Sequence, residues 1–347
     1  MTDGSAVIRA VRADELGDAL RYALATPMGG KASADGERPV RLATASQVQG
    51  FKRYLADTGA TWSGWVAERE GALAAGGASD RSADGRPVRG RRRWTAVWLN
   101  VTLPGRTAIV LPAPPTAFDV NSSDRDSWAL RDSEAVGAAA VRALDGLGLH
   151  YAQALTAPNA LEMQALLRTC GFRRLTRLEY LERDVRHPWL DGPPAGAAEW
   201  VEYLPAREAR FAALLQETYR ESGDCPELNG LRPIEDVLAA HRAAGRFDPR
   251  LWQIAEVGGA DAGCVLLSRL ADPRVAELSY MGVHPAHRRK GVGTLLLRRA
   301  LELCRGAQIE RVTLVVDDRN AAARAMYARA GWAPYTAREA YVRRTAC

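Results

Sequence analysis

The segment LSYMGVHPAHRRKGVGTLLLRRAL, residues 278–301, holds the residue types best suited to chemistry. An apolar run ends at Val283, and a short loop containing Pro285 follows. Then come Arg288, Arg289, Lys290, Gly291, Val292, Gly293 and Thr294, at the start of a helical pattern. Glycines let the backbone approach an anion closely and adopt dihedrals closed to other residues. The N–H groups of a first helical turn point at such an anion, and the helix dipole favours negative charge there. The three cations add formal charge and Thr294 offers a hydroxyl, so the stretch reads as a seat for a pyrophosphate. Two competing phosphate patterns fail. Position 296 is Leu296, so the third glycine of a dinucleotide fingerprint is missing, and the sequence has no G-x-x-x-x-G-K-[ST] loop.

The elements that must hold this seat can be read from periodicity and turn signals. Residues 199–204 predict a strand, 209–222 a helix, 224–233 a loop and 234–245 a second helix stopped by Gly245. Strands are expected over 251–257, 262–270 and 274–283, a long amphipathic helix over 291–306, and a buried strand over 310–316. A helix over 321–331 and a last strand to Val342 complete the half. Further upstream, 94–103 and 106–112 read as a hairpin around Pro104-Gly105, 131–148 as a helix and 150–156 as a strand. The end of this first half repeats the end of the second: Gly171-Phe172 matches Gly331-Trp332, and Asn159 matches Asn320 with one residue of slippage. A repeat of domain length suggests duplication. The Pro/Gly-rich stretch RHPWLDGPPAGAAE makes a natural linker. A chain of 347 residues is long enough for two cores.

Here a resemblance becomes specific. Arg288 to Gly293 match the R/Q-x-x-G-x-G/A motif of the GCN5-related N-acetyltransferase superfamily, between the expected strand and the expected helix. Asn320, the Ala-rich helix, Tyr327 and Gly331-Trp332 resemble that family's closing N-x-x-A-x-x-x-Y-x-x-x-G-F/W pattern. The first half resembles it only in element order and closing helix; it has no R-x-x-G-x-G, and Leu167 stands where Tyr327 stands in the other copy. The resemblance implies an α/β fold class: two tandem acyl-CoA N-acyltransferase folds, each a mixed central sheet with helices on both faces. It divides the chain into a degenerate copy (1–185), a linker (186–198) and a catalytic copy (199–347).

The resemblance also implies roles. Acetyl-CoA is the acyl donor, lying where the strands at 274–283 and 310–316 splay apart beside a bulge in the first of them. Main-chain groups of Met281 and Val283 are expected to contact it, an N–H near Met281 to face the thioester oxygen, and residues Arg288, Arg289, Lys290, Gly291, Val292, Gly293 and Thr294 to hold the phosphates. Asn320 is expected to hydrogen-bond the cofactor, to cap the helix at 321–331, or both. Tyr327 is the candidate acid for the departing thiolate, with packing against the sheet as its alternative. Glu277 is the candidate base, with an exposed or ion-paired glutamate as its alternative. Simple alternation puts Val275, Glu277 and Ser279 on one face, and a bulge would change which face continues. Ser279 and Tyr280 are weaker candidates for substrate contact. Asp224 or Glu227 would hold a cationic amine, or remain solvated loop residues.

Composition closes off other classes. The apolar share of 47% and charged share of 25% exclude wholesale disorder. No run approaches the roughly 18 apolar residues of a membrane span, and the first residues have no apolar signal region, so a cytoplasmic protein is expected. Net charge is +6, but the only lysines are Lys31, Lys52 and Lys290, and the arginine excess matches an Ala- and Gly-rich background. The basic stretch at 72–93 lacks interleaved aromatics, so a nucleic-acid partner is not expected. Five cysteines (Cys170, Cys225, Cys264, Cys304, Cys347) at wide spacings without a C-x-x-C predict neither a disulfide framework nor a zinc site. His284 and His287 lack a third ligand, so no metal is expected. The leading expectation is acetyl transfer to a primary amine, on a small molecule or a peptide. The alternative is a non-catalytic acyl-CoA-binding module.

Overall fold

The computed structural model describes residues 6–27, 40–69, 93–114, 128–188 and 198–346. Nearly all of the basic stretch at 72–93, most of the 186–198 linker and Cys347 lie outside the described residues. The first half runs through β1 (Val7–Ala10), α1 (Leu16–Ala23), β2 (Thr26–Pro27), β3 (Val40–Arg41), α2 (Ala45–Thr58), β4 (Thr61–Arg69), β5 (Arg93–Leu103), β6 (Thr107–Pro112), α3 (Leu130–Leu144), β7 (Tyr151–Thr156), α4 (Leu161–Thr169) and β8 (Arg173–Asp184). The second runs through β9 (Glu199–Glu202), α5 (Glu208–Tyr219), α6 (Ile234–Ala243), β10 (Trp252–Val257), β11 (Ala260–Arg269), β12 (Val275–Val283), α7 (Val292–Gly306), β13 (Arg311–Asp317), α8 (Ala321–Arg329) and β14 (Ala333–Arg344). From residue 94 onward the elements match the expected spans to within a few residues, apart from α4 and β8, which only the repeat marks. The elements before residue 70 went unread, although α2 carries a capping box between Thr44 and Gln47 at its start.

Among the described residues, apart from the short β2–β3 ladder, the strands form one mixed sheet of twelve, in the order β1-β4-β5-β6-β7-β14-β8-β13-β12-β11-β10-β9. Helices cover both faces. In the first half α1 and α2 bury Leu20, Val48 and Leu55 on Val66, Val97 and Leu99, while α3 and α4 pack Val136, Leu144 and Leu167 on the other face around Trp98 and Phe172. In the second half α5 and α6 cover Trp252 and Ile254, and α7 and α8 cover Leu267, Leu278, Val312 and Leu314.

The halves exchange their last strands. β13 pairs along its whole length with residues 178–184 of β8, and β14 lies between β7 and β8. Leu181 of β8 thereby enters the second half's core, and Tyr341 of β14 enters the first half's. Burying one such side chain contributes about 2 kcal/mol, and parting the strands would bare two unpaired edges as well. Outside the sheet, Asp236 of α6 accepts from Arg106 and from His150 at 2.8 and 2.7 Å. Gly105 has φ +83°, and a Cβ there would collide with the Asp236 carbonyl, so this turn between β5 and β6 requires glycine.

Among the described residues two strand pairs are parallel, and each is brief. β12 meets β13 from Val275/Arg311 to Glu277/Thr313, and β6 meets β7 from Thr107/Tyr151 to Ile109/Gln153. Beyond those residues the partners part.

Candidate active site

The parting of β12 from β13 begins at a bulge. On its other side β12 pairs with β11, and the register slips between Leu266/Tyr280 and Leu267/Leu278, which leaves Ser279 as the extra residue. Its hydroxyl donates to the Leu266 carbonyl at 3.1 Å and lies 3.3 Å from the Ser268 hydroxyl. Ser279 therefore pins the bulge to β11. The bulge resets alternation. Ala276 and Leu278 point into the core under α7, with Val275 and Glu277 on the other face. After it, Tyr280 points toward α5 and α6, where its ring lies 5.0 Å from Tyr219 and 5.3 Å from His241, and its hydroxyl 2.8 Å from that of Thr218.

The same pairing fixes the backbone. The N–H of His284 donates to the Ala262 carbonyl of β11 at 2.9 Å. In an antiparallel ladder the bonding direction alternates, so the main-chain groups of Met281 and Val283 face away from β11, toward the gap. An extended chain entering there would find an unpaired edge. Arg288 Nε already donates to the Val283 carbonyl at 3.2 Å, which leaves Met281 and the Val283 N–H.

The glycine loop follows. A one-turn helix over Pro285–His287 is capped by His284, whose Nδ1 accepts from the Ala286 N–H. Arg289 and Gly291 then take the left-handed conformation, with φ +62° and +81°, and α7 begins at Val292. The N-cap residue, Gly291, has no side chain with which to cap α7, and the first N–H groups of any helix lack an internal acceptor. Arg289 and Lys290 are exposed beside them, and Gly293 and Thr294 are half-buried. A Cβ on Gly293 would stand 3.1 Å from Met326 Sδ, so this glycine also lets α8 approach α7. Arg288 is placed differently from its two neighbours. Its guanidinium donates to the carbonyls of Thr218, Arg220 and Glu221, capping the C-terminal end of α5.

Tyr327 lies on α8 with its ring in the core, 5.8 Å from the Trp332 ring. Burial raises its pKa far above the ordinary phenol range, and Asp224 pushes the same way. The phenol therefore stays protonated at any working pH. Asn320 caps α8 through its side-chain oxygen, which accepts from the Ala323 N–H at 3.2 Å, and it also lies against Gly223.

Across the mouth of the gap runs the loop after α5. The N–H of Cys225 and the hydroxyl of Thr176 donate to the buried carboxylate of Asp317, at 3.1 and 2.7 Å, and Arg319 adds its own N–H and its guanidinium. Burial alone would raise the Asp317 pKa; these donors outweigh it and hold the carboxyl well below the usual range. Arg319 also forms a two-pronged bond to Glu227, at 2.6 and 2.9 Å. Glu227 is thus a partner of Arg319 rather than an unpaired anchor. Asp224 has its pKa raised, first by burial and then by neighbouring Asp317. Ligand atoms of Asp224, Cys225 and Asp317 lie within 4.8 Å of one another. The Asp317 oxygens are already taken, and burial keeps the Cys225 thiol protonated, so the cluster works as a clamp on the loop.

Glu277 lies on the opposite side of the sheet from α7, half-buried, with no hydrogen bond or ion pair among the described residues; burial raises its pKa. It lines a cavity of about 290 Å³ together with Thr313, Tyr180, Glu182, Arg311 and Tyr335. The structure thus places Glu277 at the last pair between β12 and β13, and Met281 and Val283 on the open edge beyond it, ahead of the 289–294 loop. Sequence reasoning missed Asp317 and Arg319, whose only signal was their place in DDRN before the helix. It also missed Tyr180 and Glu182, which had no local signal because they come from the other half.

Residues 212–332 match the family model described as "Acetyltransferase (GNAT) family". Over 184 residues the chain is 29% identical to a mycothiol acetyltransferase of Beutenbergia cavernae, a match that covers 51% of this chain and 61% of that protein. The matched part thus spans less than two thirds of that relative's length. Solved structures that resemble nearly the whole chain include the following two. One is a GCN5-related N-acetyltransferase from Sphaerobacter thermophilus, with 16% identity, TM-score 0.58, and coverage of 99% of this chain and 97% of that one. The other is a tandem GNAT protein from the clavulanic acid biosynthesis pathway, with 18% identity, TM-score 0.50, and coverage of 97% and 98%. At such identities the likeness is one of fold.

Proposed function

We propose that the chain, whose residues 212–332 match the acetyltransferase (GNAT) family, moves an acetyl group from acetyl-CoA to a primary amine, with the chemistry in its second half. The observation that carries this reading is the open edge of β12 at Met281 and Val283, beside the uncapped start of α7. An extended thiol-bearing arm fits that edge as an added strand, and a diphosphate fits the N–H groups and the cations Arg289 and Lys290. Arg288 supports the seat by tying the loop to α5. Bound there, acetyl-CoA supplies an activated thioester carbonyl.

The chain's own residues do the rest. Glu277 takes one proton from the substrate ammonium, directly or through water, to give a neutral amine; its raised pKa suits a base working near neutrality. The N–H of Met281 donates to the thioester oxygen as negative charge grows on it. Nitrogen bonds to the carbonyl carbon and the C–S bond breaks. Tyr327 relays a proton to the leaving sulfur, receiving the second amine proton through water as it gives its own, because burial makes an unassisted transfer from this phenol to a thiolate unfavourable. The sum is one amide, one free thiol and one released proton.

The first half, residues 1–185, fits a copy that has lost its phosphate seat, joined to a catalytic copy at 199–347. Its strands β6 and β7 part as β12 and β13 do. But the first turn of α3 holds Asp132, buried and bonded to Arg69 at 2.7 and 2.8 Å and to the Thr95 hydroxyl at 2.6 Å. A carboxylate already occupies the place an anion would want. Among the described residues no helix is long and apolar enough to cross a membrane.

The test is free thiol release from acetyl-CoA by the full chain with a panel of primary amines. Amine-dependent release is expected. Tight acetyl-CoA binding with no release by any amine would instead make the protein a binding module.

A further inference from the structure

The cavity beside Glu277 says more about the acceptor than the reaction class does. Its floor is a sheet face built from both halves. The pairings Thr313↔Glu182, Val315↔Tyr180 and Glu277↔Thr313 put Glu277, Thr313, Glu182 and Tyr180 on one side of the sheet, opposite α7 and α8. Tyr335 joins them from β14, where a register slip between Pro334 and Thr336 makes it the extra residue. The Tyr180 and Tyr335 rings stand edge to face with centroids 6.2 Å apart. Tyr180 and Glu182 reach this place only because β8 of the first half is inserted beside β13.

Charge decides what fits. Glu277 has no partner among the described residues, and a half-buried carboxylate without one is costly to ionise. Glu182 faces the same space, with Arg311 at 3.8 Å as its weak partner. With Glu277 ionised beside a bound cation, the two carboxylates outnumber Arg311 by one charge, and the two phenol rings offer faces that attract cations. The volume of about 290 Å³ is at the small end for ligand sites.

We propose that this cavity binds the acceptor as a compact primary ammonium ion, with Glu277 and Glu182 as its charge partners and Tyr180 and Tyr335 as its aromatic walls. Specificity for the acceptor is then set by β8 and β14, outside the strands that hold acetyl-CoA. The site rests on the acetyl-transfer reading for its meaning, but its occupancy is measurable without turnover.

The experiment is direct binding to the full chain in the presence of CoA, followed by calorimetry or ligand-observed NMR. The probes are glucosamine and 1,5-diaminopentane, each against its uncharged counterpart, glucose or 1,5-pentanediol. The amines are expected to bind and the uncharged probes not to. Glu182→Gln should weaken amine binding about tenfold, and Tyr335→Ala about threefold, with CoA affinity unchanged in both. Tyr335 is 50% exposed, so its variant keeps the fold even if Glu182→Gln does not. Absence of amine binding, or equal binding by both variants, would overturn the pocket. Amine binding without thiol release in the parallel assay would leave the pocket standing and remove the acetyl-transfer reading.

Discussion

The N–H of Asp317, at the end of β13, donates to a carboxylate oxygen of Asp224 at 2.8 Å. This bond joins the loop after α5 to the strand on the far side of the gap, and the bonds to Asp317 from Cys225, Thr176 and Arg319 fasten it there. The distance across the open strands is thus held by side chains rather than by sheet pairing.

Asp317→Ala removes the acceptor these donors share. Buried N–H and O–H groups left without a partner are expensive, so the substitution is expected to cost about 3 kcal/mol. Urea unfolding followed by tryptophan fluorescence checks this. An unchanged midpoint would show that the clamp contributes nothing.

Tyr327→Phe keeps the ring in its core site and removes only the hydroxyl. Turnover is expected to fall about tenfold to a hundredfold, with acetyl-CoA affinity held within about twofold by the unchanged packing. Thiol-release kinetics beside a binding titration separate the two quantities. Equal activity in the variant would take Tyr327 out of the acid role.

Glu277 gives a prediction with a sign. Burial raises its pKa in the folded chain, so folding favours the protonated form. Its contribution to stability is complete below the ordinary glutamate range and is lost as pH rises through the folded value. Glu277→Gln should therefore raise the unfolding midpoint at neutral pH and leave it unchanged in acid. The same variant should flatten the acidic limb of kcat/KM, which in the parent protein lies above the ordinary glutamate pKa. A variant no more stable at neutral pH, with an unmoved limb, would contradict both statements.

His241 works in the opposite direction. It is enclosed by Tyr219, whose hydroxyl lies 3.1 Å from its Nε2, and by Tyr280. Burial, then the charge of Arg232, lowers its pKa from 6.5 to about 4. The neutral ring is what folding favours, so this stabilisation is complete above pH 6.5 and drains away as pH falls toward 4. The effect is on the order of 3 kcal/mol. His241→Gln should flatten the fall of the urea midpoint across that window; an unaltered slope would mean that the ring titrates normally.

Much of the site was legible because its signals are local. Gly291 and Gly293 before an amphipathic run, and Asn320 before an Ala-rich one, each mark a helix start whose partners lie within a few residues. The parting of β12 and its bulge followed from the family resemblance, but no glycine or proline identified Ser279 as the extra residue. What stayed hidden is long-range. The repeat marks β8 only as the counterpart of the chain's last strand, and nothing in Tyr180 or Glu182 says that β8 will pair with β13. Side-chain direction was hidden too: Arg288 sits in a phosphate-binding pattern yet donates to the end of α5, because three carbonyls there outbid an exposed position.

The most direct test of the central claim is calorimetric titration of the full chain, and of Gly291→Asp, with acetyl-CoA. Gly291 holds φ +81°, which Asp adopts only with strain, and the added carboxylate would face the diphosphate. The account predicts one site per chain with affinity in the micromolar range typical of enzyme substrates, weakened at least about tenfold in the variant by strain and like charge. No heat with the folded parent chain, or equal binding by the variant, would contradict it.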